Sequence, residues 1–362
     1  MAKVQGKAQF EEEVAPSGKA WGLIVLLLAG AAVLCVLAVL LPSERYIRFQ
    51  QFDHSDLFKL RWDYERLNFD SSPIDVAIIG SSRVEAALSA PELAASLSKK
   101  LGRSIHVANI AIPYEGRNLH YEIARELLAT HPEVKLILLS VEERADISHP
   151  AFRYISDVSE VLHAPLWINH YYAVDAAFLP YRQMSFFFQS RFPAWFSISR
   201  TFRSDYLGTD WDSTQSFQIP GGRRIDRYVV ANPEKLAAEA QELKAQIGSG
   251  DGHWVRQSAW YSLNAPLEPE YSARLVAVAK EHGATPIFVH MPFYSSLPGE
   301  YDHAFYESLA PLLDAQPFCN NPHDYADAAH FNRYGIEKIS PWLSSSLDPY
   351  LAPLRSAGAS KK

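Results

Sequence analysis

Hydrophobic positions follow two patterns along the chain, and the first is an uninterrupted apolar run near the N-terminus. Residues 21–41 read WGLIVLLLAGAAVLCVLAVLL, which is 21 residues without a charged side chain. As an α-helix this run measures roughly 30 Å, the thickness of the hydrocarbon core of a bilayer. A core helix of a soluble protein would carry a polar face, whereas this one is apolar all round. Because the run is long for a cleaved signal peptide and no small-residue cleavage site follows it, the pattern predicts one retained membrane-spanning anchor.

The second pattern begins after residue 70, where short apolar blocks alternate with segments of helical periodicity. Residues 75–80 and 134–141 are short, mostly apolar runs, which is typical of strands buried on both faces of a parallel sheet. Predicted strands cover residues 75–80, 104–109, 134–141, 285–290 and 317–319, and predicted helices cover residues 91–100, 119–130, 233–247, 269–282, 304–314 and 336–345. Since helices separate the strands, we expect an α/β fold with a doubly wound, flavodoxin-like parallel sheet of about five strands.

The alternation of strand and helix stops near residue 146 and resumes near residue 267. Residues 147–265 instead contain a dense aromatic stretch between Trp167 and Phe196, and we expect a large, lid-like insertion. The aromatic side chains would form the insertion's own core or, alternatively, stack on sugar rings. The predicted organisation is a tail, an anchor, a juxtamembrane linker, one α/β domain that contains the insertion, and a second tail, covering residues 1–20, 21–41, 42–70, 71–348 and 349–362.

Composition and charge narrow the classes of function. With 48% hydrophobic and 21% charged residues among 362, the chain can bury a sizeable core. A net charge of −7, without an aromatic-basic stripe, argues against a nucleic-acid partner. Cys35 lies in the apolar run and Cys319 in the globular part, so no disulfide joins them, and no Cys/His spacing typical of zinc occurs. We therefore expect no metal and no cofactor. Basic residues flank the apolar run on both sides, so the positive-inside rule does not orient it.

Two short motifs carry the residue types of nucleophilic acyl transfer. Gly80-Ser81-Ser82-Arg83 follows the first predicted strand, and Asp327-Ala328-Ala329-His330 follows the last. A serine hydroxyl, an imidazole and a carboxylate are the groups that this chemistry needs. Taken alone, the serine is explained by helix capping and the Asp–His pair by an ordinary polar loop. Because both motifs follow parallel strands, we expect them at the same edge of the sheet. A nucleotide-binding domain is disfavoured, since no glycine-rich phosphate loop occurs.

The two motifs resemble the first and last blocks of the SGNH, or GDSL-like, hydrolase superfamily. In that family a strand leads into Gly-Asp-Ser, and the last block reads Asp-x-x-His, often followed by Asn and Gly, as residues 327–335 do here. Ser81 replaces the aspartate of the first block, as in membrane-anchored members of the teichoic-acid D-alanyl transfer type. The resemblance covers about residues 70–145 and 267–348. It implies that Ser82 is the nucleophile, His330 the general base and Asp327 the acid that orients it.

The middle blocks of the family are only partly present. By the resemblance, Gly116 would supply an oxyanion N–H, or Ala111 would take that place. The asparagine expected after the third strand is missing, and Arg144 is a candidate to replace it. Arg83 is a candidate contact for an anionic substrate. Losing one oxyanion donor typically costs about 10²–10³ in rate. Exopolysaccharide O-acetylation proteins of the superfamily, those of alginate among them, deviate in the same blocks.

The resemblance, together with the anchor, implies a bacterial inner-membrane protein with one span and an extracytoplasmic, periplasmic domain. Its expected activity is that of a serine O-acyltransferase or acyl esterase that acts on a cell-envelope or exported polysaccharide through an acyl-Ser82 intermediate. A multi-spanning membrane acyltransferase is a candidate partner, again by resemblance. The alternative, favoured by the missing asparagine, is a catalytically inactive scaffold or a glycan-binding component of a polysaccharide export complex.

Overall fold

A computed structural model describes residues 18–141, 148–164, 171–220, 222–248 and 267–357. Its helices are α1 Gly18–Val39, α2 Arg45–Gln50, α3 Lys59–Asn68, α4 Ser82–Ala87, α5 Ala90–Leu101, α6 Arg117–Thr130, α7 Phe152–Ile155, α8 Val158–His163, α9 Tyr172–Arg191, α10 Pro233–Gly248, α11 Leu267–Glu281, α12 His303–Leu309, α13 Arg333–Ser346 and α14 Ala352–Ala357. Its strands are β1 Val76–Ile79, β2 Val107–Asn109, β3 Leu136–Ser140, β4 Phe217–Gln218, β5 Arg224–Ile225, β6 Thr285–His290 and β7 Leu312–Asp314.

Five of these strands form one parallel sheet in the order β2-β1-β3-β6-β7. At the centre of the sheet, Val76 of β1 pairs with Val107 of β2 and with Leu136 of β3. All residues of β1 and β3 are buried, which is why these segments are continuous apolar runs rather than alternating ones. The expected α/β class, the parallel sheet and its five strands are therefore confirmed.

Helices cover the sheet on both faces, and alternate residues of each strand belong to different cores. Ala77 and Ile79 of β1 join the core formed with α3, α6 and α11. Val76 and Ile78 join the core formed with α4, α5 and α13. This arrangement follows from the two-residue period of a strand, which sends successive side chains to opposite faces.

The segments on either side of the predicted α/β domain also enter its cores. Residues 42–70, expected to be a linker, form α2 and α3, and Leu60 and Trp62 are buried in the first core. Beyond residue 348, Leu351 and Leu354 are buried in the second core. Both segments are thus packed parts of the fold.

The last strand of the sheet differs from its predicted position. Residues 317–319 were expected to form it, but Gln316–Phe318 is a short 3₁₀ helix, and β7 lies within the range predicted as a helix. Helix α12 ends at Leu309, because Ala310 is extended before Pro311, as residues that precede proline tend to be. The chain that follows pairs with β6 instead.

The insertion contains less of a core than its composition suggests. Within its described residues, α9 buries Phe186, while Tyr181 and Phe188 are exposed and Trp195 is 79% exposed. A single helix has only one face to bury, so most of these aromatic side chains do not form a closed core. Trp167 lies outside the described residues.

Candidate active site

Ser82 is the first residue of α4, directly after the turn that ends β1. Gly80 makes this turn possible, since a Cβ at this position would overlap the side chains of Ser140 and Val84. The N-cap of α4 is Ser81, and its side chain makes no capping hydrogen bond. Capping therefore does not explain either serine. The first N–H groups of a helix have no acceptor within the helix, so this turn also presents backbone donors beside the Ser82 hydroxyl.

The second motif forms a tight loop before α13. Asp327 Oδ1 accepts hydrogen bonds from the backbone N–H groups of Ala329 at 2.9 Å and His330 at 3.0 Å. After the loop, the Asn332 side chain accepts a hydrogen bond from Gly335 N–H and caps α13. The Asn–x–x–Gly spacing after the histidine thus has a local structural reason. It fixes where the loop stops and the helix starts.

The two motifs meet at the carboxyl-terminal edge of the sheet. Ser82 Oγ lies 2.7 Å from Nε2 of His330. The other ring nitrogen of His330, Nδ1, lies 2.8 Å from Asp327 Oδ1 and 3.0 Å from Asp327 Oδ2. A carboxylate only accepts, so Nδ1 carries the proton and donates, which leaves Nε2 to accept the Ser82 hydroxyl hydrogen. The three side chains that the sequence singled out are therefore in direct contact with one another.

The charge state of Asp327 suits this arrangement. Burial raises the pKa of the Asp327 carboxyl, but the hydrogen bond and charge of His330, together with the N–H groups of Ala329 and His330, outweigh burial. The net result is a pKa below the usual value, because each of these contacts favours the ionised form. Asp327 is therefore a carboxylate at neutral pH and can stabilise a positive charge on His330.

Ser82 and His330 open into a cleft of about 680 Å³. This volume is in the range of sites for small molecules or for one segment of a polymer. The lining of the cleft includes Arg83 and Tyr114, and the β4–β5 hairpin contributes several further residues to it, including Phe217 and Arg224. The hydroxyl is therefore accessible to a substrate.

Of the other predicted site residues, the structure places one in the lining of the cleft and two outside it. Arg83 lines the cleft, and its Nη1 donates to the Met291 carbonyl at 3.3 Å. Ala111 is fully buried and does not supply an oxyanion donor, because its N–H donates to Asn109 Oδ1 at 3.1 Å. Gly116 adjoins the cleft residue Glu115 but is not itself part of the lining. Arg144 lies outside the described residues.

The glycine at position 116 has a structural explanation. Its φ is 143°, a conformation that side chains rarely adopt, and a Cβ would overlap the backbone of His149. His149 in turn donates from Nε2 to the Pro113 carbonyl at 2.8 Å and accepts the N–H of Ala151 at Nδ1. Gly116 therefore lets the loop that carries Tyr114 and Glu115 pack closely against the start of the insertion.

Sequence reasoning missed the contribution of the insertion to the site. The hairpin of β4 and β5 lines the cleft, and the chain after it is tied to the His330 loop: Arg333 N–H donates to Arg227 O at 2.7 Å, and Ala231 N–H donates to Tyr325 O at 3.0 Å. Two-residue strands show no periodicity. The one available signal was Pro220-Gly221-Gly222, a turn sequence between two short β-prone segments.

Among the described residues, no group of three or more His, Cys, Asp or Glu side chains is placed to hold a metal ion. The same part of the chain contains one helix, over Lys19–Val39, that is long and apolar enough to cross a membrane. No family model matches the chain, and no curated protein matches it significantly.

Proposed function

We propose that this protein is a membrane-anchored serine O-acyltransferase or acyl esterase that works through an acyl-Ser82 intermediate. The observation that carries the proposal is the chain of contacts from Ser82 Oγ through both nitrogens of His330 to Asp327. A serine within 2.7 Å of a histidine that is itself oriented by a carboxylate has the geometry of an activated nucleophile. An accessible cleft at the same point gives a substrate room to reach it.

In the first half-reaction, Ser82 Oγ attacks the carbonyl carbon of an acyl donor while its proton moves to His330 Nε2. The tetrahedral intermediate carries a negative oxygen, for which the backbone N–H groups in the first turn of α4 are the candidate donors. When the intermediate collapses, the leaving oxygen takes the proton from Nε2, and the acyl group stays on Ser82. Asp327 stabilises the imidazolium during both proton transfers.

In the second half-reaction, His330 Nε2 takes a proton from a sugar hydroxyl or a water molecule, and the resulting oxygen attacks the acyl-Ser82 ester. The proton then returns to Ser82 Oγ as the product leaves. Transfer to a sugar gives an O-acylated glycan, and transfer to water gives the free acid. Exclusion of water from the acyl-enzyme decides between them. The hairpin wall of the cleft is the element best placed to control that access.

The wider setting of this chemistry also belongs to the proposal. The strand order and the helices on both faces support a doubly wound, flavodoxin-like fold of the SGNH type. We take α1 as a single span of the bacterial inner membrane and, by the resemblance to anchored SGNH-type proteins, assign the domain to the periplasmic side. The substrate class is then a cell-envelope or exported polysaccharide, and a multi-spanning membrane acyltransferase is a suitable source of acyl groups.

A fluorophosphonate probe tests the nucleophile in the full-length protein. We expect labelling of the wild type, loss of labelling in Ser82→Ala, and strong loss in His330→Ala. Ser81→Ala is the matched control, because the Ser81 side chain is buried beside Ser82 and makes no hydrogen bond to any described residue. Labelling that survives Ser82→Ala would contradict the assignment. A folded wild type that neither labels nor turns over an activated ester would favour the glycan-binding scaffold.

A further inference from the structure

Helix α9 exposes a row of large apolar side chains, unlike an ordinary surface helix. The side that packs on the protein buries four polar side chains, Asp175, Arg182, Gln183 and Gln189, together with Leu179 and Phe186. The exposed apolar residues recur at helical spacing and continue into the turn after the helix. We call these residues the α9 stripe: Val174, Tyr181, Met184, Phe188, Phe192 and Trp195. A helix whose outer face is the apolar one is suited to a surrounding that is not water.

The buried polar side of α9 has clear reasons to face inward. Arg182 Nη1 donates to the carbonyls of Arg153 and Ser156, both at 2.9 Å. Asp175 lies 3.2 Å from the guanidinium of Arg153. These contacts fix the rotation of the helix about its axis. The α9 stripe is therefore held outward, and each of its side chains is exposed in the described part of the chain.

The position of α9 relates this stripe to the end of the apolar helix α1. Val39, at the end of α1, packs against the apolar cluster of Phe152, Val161 and Leu179. Five residues further along, the Glu44 N–H donates to Ser190 Oγ at 3.1 Å, and between them Gln183 Nε2 donates to the Leu41 carbonyl at 3.2 Å. Residues 39–44 and helix α9 therefore run in the same direction. The middle of α9 lies beside the point where the apolar run ends.

We propose that the α9 stripe faces the membrane leaflet in which α1 ends, with its middle, Tyr181 and Met184, in the interfacial layer. If residues 21–41 span the hydrocarbon core, Leu41 is at the boundary between acyl chains and headgroups, and its contact with Gln183 puts the middle of α9 at the same depth. Tyrosine and tryptophan are the residues enriched at that depth. An apolar helix face in the interface binds by burial of its apolar area.

This surface is continuous with the lipid-facing surface of α1, which is the reason to assign it to lipid rather than to a protein partner. A second attachment would also restrict rotation of the domain about its anchor. The cleft would then be held at a fixed orientation to the membrane. The inference rests on α1 as a membrane span and not on the acyl-transfer chemistry.

Spin labels on the full-length protein in lipid nanodiscs test the proposal through collisions with oxygen and with a water-soluble nickel complex. The label sites are Met184→Cys and Phe188→Cys in a Cys35→Ala background; Cys319 is buried and is left in place. Glu234→Cys, on the exposed surface of α10, is the matched water-facing control. The native Cys35, exposed on α1, is the control for the anchor itself.

We expect oxygen collisions to exceed nickel collisions several-fold at positions 35, 184 and 188, and the reverse at position 234. Water-like values at 184 and 188 with a lipid-like value at 35 would overturn the proposal while leaving the anchor intact. If the same α9 sites became protected only in native membranes, the face would belong to a protein partner, and the proposal would also be overturned. Water-like values at 35 would reject the anchor, and with it the inference.

Discussion

At the scale of single residues, the site depends on three hydrogen-bonded side chains that lie far apart in sequence. Ser82 and His330 are separated by 248 positions, and their 2.7 Å contact exists only because β1 and the loop before α13 end at one edge of the sheet. Asp327 assigns the tautomer of His330, so each of the three side chains has a separate role. Their contributions are therefore not additive.

Asp327→Asn tests the orienting carboxylate. An amide in place of the carboxylate can present an N–H to His330 and stabilise the wrong tautomer, and it removes the negative charge that supports the imidazolium. We expect the rate of acyl-enzyme formation to fall by roughly 10³–10⁴-fold, with little change in the free energy of unfolding. The measurement is the rate of ester turnover at saturating substrate. A loss of rate smaller than tenfold would mean that Asp327 serves only to shape the loop through its backbone hydrogen bonds.

Gly80→Ala tests the close approach behind Ser82. The added methyl group would overlap Ser140 and Val84, so β1, β3 or the start of α4 must shift. We expect a destabilisation of roughly 1–3 kcal/mol in urea unfolding and a slower reaction with the fluorophosphonate probe. Gly222→Ala is the control, since a Cβ at that position meets its neighbours at ordinary contact distances. Equal effects of the two substitutions would contradict this explanation of Gly80.

At the scale of elements, two junctions position the site: the start of α13, and the packing of the insertion on the loop before α6. Asn332 is fully buried, caps α13, and donates from Nδ2 to the carbonyls of Val229 at 3.1 Å and His323 at 2.8 Å. One side chain thus joins the His330 loop, the helix after it and the insertion. At the second junction, His149 joins the start of the insertion to the loop before α6, because its Nε2 donates to the Pro113 carbonyl.

Asn332→Ala is expected to destabilise the fold by roughly 2–4 kcal/mol, because it removes a helix cap and the two further hydrogen bonds of a fully buried side chain. Asn232→Ala is the matched control: Asn232 also accepts from helix N–H groups, at the start of α10, but it is exposed, and we expect a loss of only about 1 kcal/mol. Chemical denaturation of both variants gives the comparison. Similar losses would show that the two extra bonds contribute little.

Because His149 is buried, we expect the free energy of unfolding to decrease in acid. Burial lowers the pKa of His149 from 6.5 to about 4, although its bond to Pro113 opposes this shift. Between these pH values the unfolded chain binds a proton that the folded chain does not. Stability is therefore fully present above pH 6.5 and decreases as the pH falls towards 4, by roughly 3 kcal/mol.

The measurement is urea unfolding of His149→Gln and wild type across this pH range. We expect a shallower pH dependence in the variant, whose amide can still donate to Pro113 but does not titrate. His163→Gln, at an exposed histidine on α8, is expected to leave the dependence unchanged. Parallel curves for His149→Gln and wild type would reject this origin of the acid sensitivity.

At the scale of the whole molecule, the sequence predicted those elements that are buried on both faces. Segments such as β1 and β3 are nearly continuous apolar runs because both sides of the sheet are covered. The edge strand β7 is only half-buried and three residues long, so its local signal was weaker than the helical signal before it. The β4–β5 hairpin has two-residue strands and exists through its tertiary contacts. Sequence therefore singled out Ser82, Asp327 and His330, which the fold brings into contact, but not the hairpin that lines the cleft beside them.

The most direct test of the central claim is the mass of the peptide that contains Ser82 after brief incubation of the full-length protein with an activated acyl ester and rapid acid quenching. We expect one added acyl group on Ser82 in the wild type and in Ser81→Ala, and essentially none in His330→Ala. An acyl group found on another residue, or equal acylation of Ser82 in the presence and absence of His330, would contradict the account.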